Sequence, residues 1–317
     1  MPGKGFMTQK KLFCFGYGYT CDVLAHELMG KGDWCLAGTT RDNNKRRFLR
    51  NQNIKSFLFD YQQPLEDPTL FLRDTMHLLI SAPPDDDGDP AFLMHANDIL
   101  NIPTLEWVGY LSSTSVYGDR DGGWVDESSE IRPSSKRGSR RARAEEQWLN
   151  LFRAKKLPVH AFRLAGIYGP GRSALDSVRV GNARRIDKPG HAFSRIHVED
   201  IAQTIIASMY KPDPGASYNL ADDLAAPSQE VIKYACEMLG LDVPPLLPYD
   251  DTDMAPIARS FYADNKRIRN DRIKNELGVQ LKYPTYKEGL KACLEKEAAY
   301  RERLGNFGDL ITADATG

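Results

Sequence analysis

The chain has 317 residues, 41% of them hydrophobic and 27% charged, with a formal net charge of -1. This is an ordinary composition for a folded soluble protein, and a charge so near zero argues against nucleic acid or a membrane surface as partner. The length exceeds that of one typical domain, so a large domain with a smaller companion is expected. Five cysteines, Cys14, Cys21, Cys35, Cys236 and Cys293, are odd in number and lack C-x-x-C spacing. They suit buried thiols in a reducing compartment, not disulfides or a zinc site, and no metal is expected. No apolar run could span a bilayer, and Met1–Lys11 lacks a signal-peptide core, so a cytoplasmic location is expected.

In chain order, short apolar runs alternate with helical periodicity, the pattern of βαβ units and a parallel sheet. Strands are predicted at Leu12–Phe15, Trp34–Thr39, Ser56–Phe59, His77–Ile80, Trp107–Leu111 and Val159–Leu164. Helices are predicted over Asp22–Met29, ending at Gly30 or Gly32, and over Ser139–Phe152, with Trp148, Leu149 and Phe152 facing the sheet. The run Asp85–Asp89 reads as a solvated acidic turn. Beyond Gly166 the rhythm loosens. Helices follow at Val198–Tyr210, at Ser228–Leu239 with Ser228 as N-cap, at Asn265–Leu277 and at Tyr286–Glu297. The expected division is a Rossmann domain over 9–165, a smaller region over 166–304 and a frayed tail over 305–317. Segments near 191–220 are expected to return to the first domain.

The most informative stretch is Phe13-Cys14-Phe15-Gly16-Tyr17-Gly18-Tyr19-Thr20-Cys21. An apolar strand runs directly into Gly16-x-Gly18 and then into a helix. Gly16 permits a tight turn, and Gly18 lets a pyrophosphate approach the helix N-terminus. Cys21 stands at the third glycine of this dinucleotide fingerprint. Gly16, Tyr17, Gly18, Tyr19 and Thr20 are therefore candidate cofactor contacts. The second strand ends Ala37-Gly38-Thr39-Thr40-Arg41-Asp42. With no carboxylate at the strand end and an arginine just beyond it, Arg41 suits a ribose phosphate, which favours NADP over NAD. Two readings stay open: Arg41 as a solvated loop residue, and Asp42 turning inward.

Further segments resemble the extended short-chain dehydrogenases/reductases, the superfamily of nucleotide-sugar epimerases and dehydratases. They are Tyr110-Leu111-Ser112-Ser113-Thr114-Ser115-Val116-Tyr117-Gly118, the run from Phe162 to Arg172, Arg195-Ile196-His197-Val198-Glu199-Asp200, and Tyr218-Asn219-Leu220 as a seventh strand. The resemblance covers almost the whole chain. It implies a doubly wound parallel α/β sheet with a smaller C-terminal α/β substrate domain. It also implies Asp60 near the adenine, and Ser81, Ala82 and Pro83 along the pyrophosphate and ribose path. Ser113 falls at the family's catalytic serine or threonine, although its hydroxyl could equally satisfy local backbone.

The family's acid–base pair is a tyrosine followed four residues later by a lysine. Here Arg137 and Arg141 occupy those positions, and no tyrosine lies between Tyr117 and Tyr168. Arginine keeps its proton at physiological pH, so Arg137 cannot act as a base, while Arg141 could still donate to the nicotinamide ribose. His197, Tyr117, Asp126 and Glu127 are candidate substitutes. The basic run from Lys136 to Arg143 has three readings: a nucleic-acid patch, a solvated helix start, or a site for an anionic substrate. The expected function is an epimerase/dehydratase-like NAD(P) oxidoreductase of the atypical class, acting on a small molecule such as a nucleotide sugar or carbonyl compound. The alternative is a non-catalytic NADP(H) sensor or partner-binding module. A homodimer is common for such folds, though no interface is visible in the sequence.

Overall fold

The computed structural model describes residues 9–250 and 252–305. Strand and helix alternate through β1 (Lys10–Phe15), α1 (Tyr19–Met29), β2 (Trp34–Thr40), α2 (Asn43–Asn51), β3 (Lys55–Leu58), α3 (Pro68–Leu72), β4 (His77–Ile80), α4 (Pro90–Leu100) and β5 (Trp107–Ser113). After β6 (Trp124–Val125), α5 (Lys136–Lys155) leads back to β7 (Val159–Leu164). The remainder is β8 (Gly166–Tyr168), α6 (Ala174–Arg179), β9 (Arg185–Asp187), β10 (Arg195–His197), α7 (Val198–Tyr210), β11 (Ser217–Leu220) and α8 (Ser228–Leu239). It ends with β12 (Leu246–Pro248), α9 (Pro256–Phe261), β13 (Arg267–Ile268), α10 (Asp271–Asn275) and α11 (Tyr286–Leu304).

Seven strands pair in parallel in the order β11-β7-β5-β4-β1-β2-β3. The chain moves outward from β1 on one side, then restarts at β4 on the other. This reversal opens a crevice at the carboxyl ends of β1 and β4, where doubly wound sheets bind ligands. Alternation along β1 explains the two cores. Leu12 and Cys14 pack with α1 and α7 on one face, while Phe13 and Phe15 pack with α4 and α5 on the other. As predicted, Trp148, Leu149 and Phe152 of α5 join the second core. A third core gathers Leu175 of α6, Val231 and Ala235 of α8, and Leu290 and Cys293 of α11.

Several elements differ from the sequence reading. The single helix expected over Asn265–Leu277 is instead a short strand and the five-residue α10. Arg267 and Arg269 donate their amides to the carbonyls of Gly123 and Val125, so pairing with distant β6 overrides local helical preference. Helix α5 begins at Lys136, three residues early, because the Ser135 hydroxyl accepts from Gly138 N at 3.1 Å. The N-cap of α8 is Pro227, not Ser228, and α11 runs past Glu297 to Leu304. Beyond Gly305 the expected tail lies outside the described residues. Among the described residues, no helix is long and apolar enough to cross a membrane.

Candidate functional site

The crevice is built around the turn after β1. Gly16 has φ +82°, and a Cβ there would stand 2.6 Å from Ala82 N, so only glycine fits. The amides of Ser81 and Ala82 both donate to Phe15 O, at 2.8 and 2.9 Å, which holds the β4 loop against the turn. Gly16 N donates to Thr39 Oγ1 at 2.8 Å, tying in the end of β2. Gly18 is the N-cap of α1 and supplies no side chain, so the helix start offers its amides to an acceptor from outside. Cys21, at the third glycine position, lies fully buried with Sγ 3.4 Å from Gly16 O. A small side chain is therefore accommodated there.

Tyr17 serves packing: its ring is buried and its amide donates to Thr39 O at 2.7 Å. Tyr19 and Thr20 are also buried, and Tyr19 Oη donates to Pro170 O at 3.0 Å. That bond ties the glycine turn to the segment after β8. Arg41 is exposed directly beyond β2. The reading in which Asp42 turns inward is excluded, because its Oδ1 accepts from Lys45 N at 2.7 Å and caps α2. Asp60 is half-buried after β3, its Oδ1 accepting from the amides of Gln62 and Gln63 at 2.7 and 2.9 Å. Tyr61 Oη donates to Gly88 O at 2.7 Å, joining this loop to the one that follows Pro83.

Ser113 ends β5, and its hydroxyl accepts from Ser115 N at 3.2 Å. Across from it, the helical period divides the basic run of α5 between two faces. Lys136 and Arg140 meet Asp86, with Lys136 Nζ to Oδ2 and Arg140 Nε to Oδ1 each at 2.9 Å. Arg143 also reaches the Asp86 carbonyl. The acidic run is therefore not a simple solvated turn. Asp86 holds α5, and Asp89 is a buried N-cap of α4 whose pKa burial raises to about 6.

Arg137 and Arg141 take the other direction. Arg141 Nη1 donates to Leu111 O at 2.8 Å, and its charge lies near Tyr110 and Asp89. The Arg137 guanidinium stands 5.5 Å over the Phe261 ring. Arg172 approaches from the segment after β8 and lies 5.9 Å over the Tyr19 ring. Surrounding protein lowers the Arg137 pKa, and neighbouring Arg141 lowers it further. Arg172 is shifted the same way by burial, with Arg137 adding to the effect. Arg137 thus feels the charge of Arg141 and acts on Arg172.

Two of the candidate substitute bases, His197 and Tyr117, are held in the core. His197 is fully buried, and burial lowers its pKa to about 4. Its Nδ1 accepts from Glu199 N, and Nε2 lies 3.7 Å from Cys293 Sγ, so it is a neutral core residue. Tyr117 Oη accepts from Arg163 Nη1 at 2.8 Å and donates to Asn219 Oδ1 at 2.7 Å, and burial pushes its pKa up to about 12. Asp126 binds the Ser128 and Ser129 hydroxyls, and Glu127 accepts from Asn219 N. Both acids line a separate hollow of about 470 Å³ with Arg269, Asp271 and Arg272. No cluster of three potential metal ligands occurs among the described residues.

A cavity of about 590 Å³ opens beyond Arg172, lined also by Ser173, Arg184, Arg195, Val231 and Tyr286. Arg195 Nη1 donates to the carbonyls of Phe193 and Ala226, both at 2.9 Å. The sequence reading quoted Arg172 and Arg195 inside motifs without giving either a role. The only available signal was the Gly-Pro-Gly-Arg turn that places Arg172. What Arg172 meets depends on residues some 150 positions away along the chain.

The chain is 48% identical to a functionally unknown conserved protein from Silicibacter pomeroyi, with a TM-score of 0.83, covering 90% of this chain and 99% of that one. It also shares its fold with dTDP-glucose 4,6-dehydratase from Bacillus anthracis in complex with NAD, at 18% identity and TM-score 0.74 over 92% and 98% of the two chains. UDP-glucuronic acid 4-epimerase from Bacillus cereus, in complex with UDP-glucuronic acid and NAD, matches at 14% identity and TM-score 0.74 over 91% and 99%. No family model and no curated protein matches. The chain accordingly belongs to one family with the Silicibacter pomeroyi protein and shares the fold of the dehydratase and epimerase structures.

Proposed function

We propose that this protein is an NAD(P)-dependent oxidoreductase or epimerase-like enzyme that acts on a small molecule, a nucleotide sugar or related carbonyl compound. The observation that carries the proposal is the turn at Gly16–Gly18. It lies where the strand order reverses, has no room for a Cβ at Gly16, and leads into a helix start without a side-chain cap. These features fit a dinucleotide pyrophosphate. The NAD complexes of the Bacillus anthracis and Bacillus cereus neighbours agree with this class of cofactor.

Arg41, beyond the end of β2, favours NADP, because the only adjacent carboxylate is engaged as a helix cap. The bound dinucleotide would supply the hydride chemistry. Gly16, Gly18, Tyr19 and Thr20 would hold the pyrophosphate, with Ser81, Ala82 and Pro83 beside them and Asp60 toward the adenine. Ser113 would orient a substrate hydroxyl or carbonyl by hydrogen bonding. Because Arg137 cannot accept a proton, proton exchange would use water or the substrate's own groups.

Calorimetric titration with NADP, NADPH, NAD and NADH, on the native protein and on Arg41→Ala, tests this reading. Tight NADP(H) binding that Arg41→Ala weakens about tenfold is expected. Tighter NAD(H) binding, unaffected by the substitution, would assign the site to NAD. Absence of binding by any of the four would end the oxidoreductase reading.

A further inference from the structure

Elsewhere on this molecule, several basic side chains are matched with carboxylates. Arg140 and Lys136 share Asp86, Arg163 pairs with Glu145, and Arg303 with Asp22. Arg137 and Arg141 are different. Among the described residues neither forms an ion pair with a carboxylate, yet they stand one helical turn apart on the same face of α5. Adjacent like charges on a helix are destabilising, and Arg137 is exposed, so an anion can reach it. Arg141 reaches the carboxyl-terminal part of β5 through Leu111 O, and Arg137 lies within electrostatic reach of Arg172. Arg141 is anchored on Leu111 O, and the Arg137 guanidinium stands 5.5 Å from the Phe261 ring centroid. A guanidinium with free edges suits two-point recognition of an oxyanion.

We infer that Arg137, assisted by the charges of Arg141 and Arg172, binds an oxyanion carried by the substrate, a phosphate or a carboxylate. This rests on the oxidoreductase reading, and it deepens that reading by specifying the class of substrate. The position that handles a proton in related folds here holds a permanent charge. The substitution therefore exchanges acid–base chemistry for anchoring of a charged group. A neutral carbonyl compound would leave Arg137 without a counter-charge and would be a poor substrate.

The test is calorimetric titration with inorganic phosphate and, separately, with malonate, at ionic strength held constant with chloride. Each titration is run on the protein alone and on the protein saturated with whichever dinucleotide binds. Arg137→Gln is compared with Arg140→Gln, which removes the same charge from the face that meets Asp86, and melting curves verify that both variants fold. The expected result is that Arg137→Gln weakens binding of one anion by about tenfold or more while Arg140→Gln changes it by about twofold at most. Which anion responds identifies the substrate group as phosphate or carboxylate. Equal losses in both variants would reduce the effect to general electrostatics and overturn the inference, as would failure of the native protein to bind either anion. A tenfold drop in dinucleotide affinity in Arg137→Gln, by about 1.4 kcal/mol, would assign the arginine to the cofactor and equally overturn it. Loss of anion binding in Arg137→Gln in a protein that binds no dinucleotide would retain the anion site while ending the oxidoreductase reading.

Discussion

Asp222 lies buried beside Arg195, with one carboxylate oxygen 3.3 Å from Leu224 N and the other unpartnered. Burial raises its pKa to about 8, against the opposing influence of the Leu224 amide and Arg195. An unfolded aspartate loses its proton near pH 4, so the stability owed to the neutral form is full below about pH 4 and is lost as the pH rises to about 8. Asp222→Asn should therefore flatten the decline in melting temperature over that window and leave the variant more stable at pH 9, on the order of 2 kcal/mol. Parallel profiles for variant and native protein would show that Asp222 ionises freely in the fold. His197 follows the opposite sign. Its pKa is lowered to about 4, so its contribution is lost as the pH falls from 6.5 toward 4. It carries no charge at neutral pH. That the sequence offered His197 as a base reflects its titration range; its burial between α7 and α11 is a tertiary fact.

The β1–α1 element shows how much a local signal can establish. A strand, Gly-x-Gly and an immediate helix were legible because glycine stereochemistry and hydrophobic alternation act within a few residues. The structure adds the reason that Gly16 is irreplaceable, which is contact with Ala82 from β4, sixty-six positions along the chain. Gly16→Ala should cost about 3 kcal/mol in denaturant unfolding, from positive φ and overpacking together, and should abolish dinucleotide binding. A stable variant that still binds would show that the turn relaxes. Helix α5 teaches a complementary lesson. Its basic run is uniform in sequence, and a period of 3.6 residues already divides it into two faces. Which face meets the Asp86 loop and which meets the crevice is decided by how α5 packs on the sheet. On one face, Lys136, Arg140 and Arg143 all contact Asp86.

Across the whole molecule, one buried polar network ties the central strands to α5 and β11. Glu145 accepts from Ser112 Oγ on β5 and from Arg163 on β7, with Nε at 3.0 Å and Nη2 at 2.7 Å. Arg163 continues to Tyr117, and Tyr117 to Asn219 of β11. Both members of the pair are nearly inaccessible, at 5% and 7% side-chain exposure. Glu145→Ala should cost about 3–5 kcal/mol in denaturant unfolding, because it leaves a buried guanidinium without its counter-charge. Glu145→Leu combined with Arg163→Met should recover much of that loss. A double variant no better than the single would show that the remaining hydroxyl and amide partners dominate.

The sequence by itself determined the order of strands and helices in the sheet-forming half, the glycine turn and the absence of the tyrosine–lysine pair. Each is written in neighbouring residues, through side-chain period, backbone stereochemistry or identity. Tertiary structure alone decided that β13 would pair with β6 where a helix was expected. It also placed Arg137 on Phe261 and Arg172 on Tyr19. Those outcomes depend on groups brought together over more than a hundred residues. That information is not carried by a short stretch of sequence.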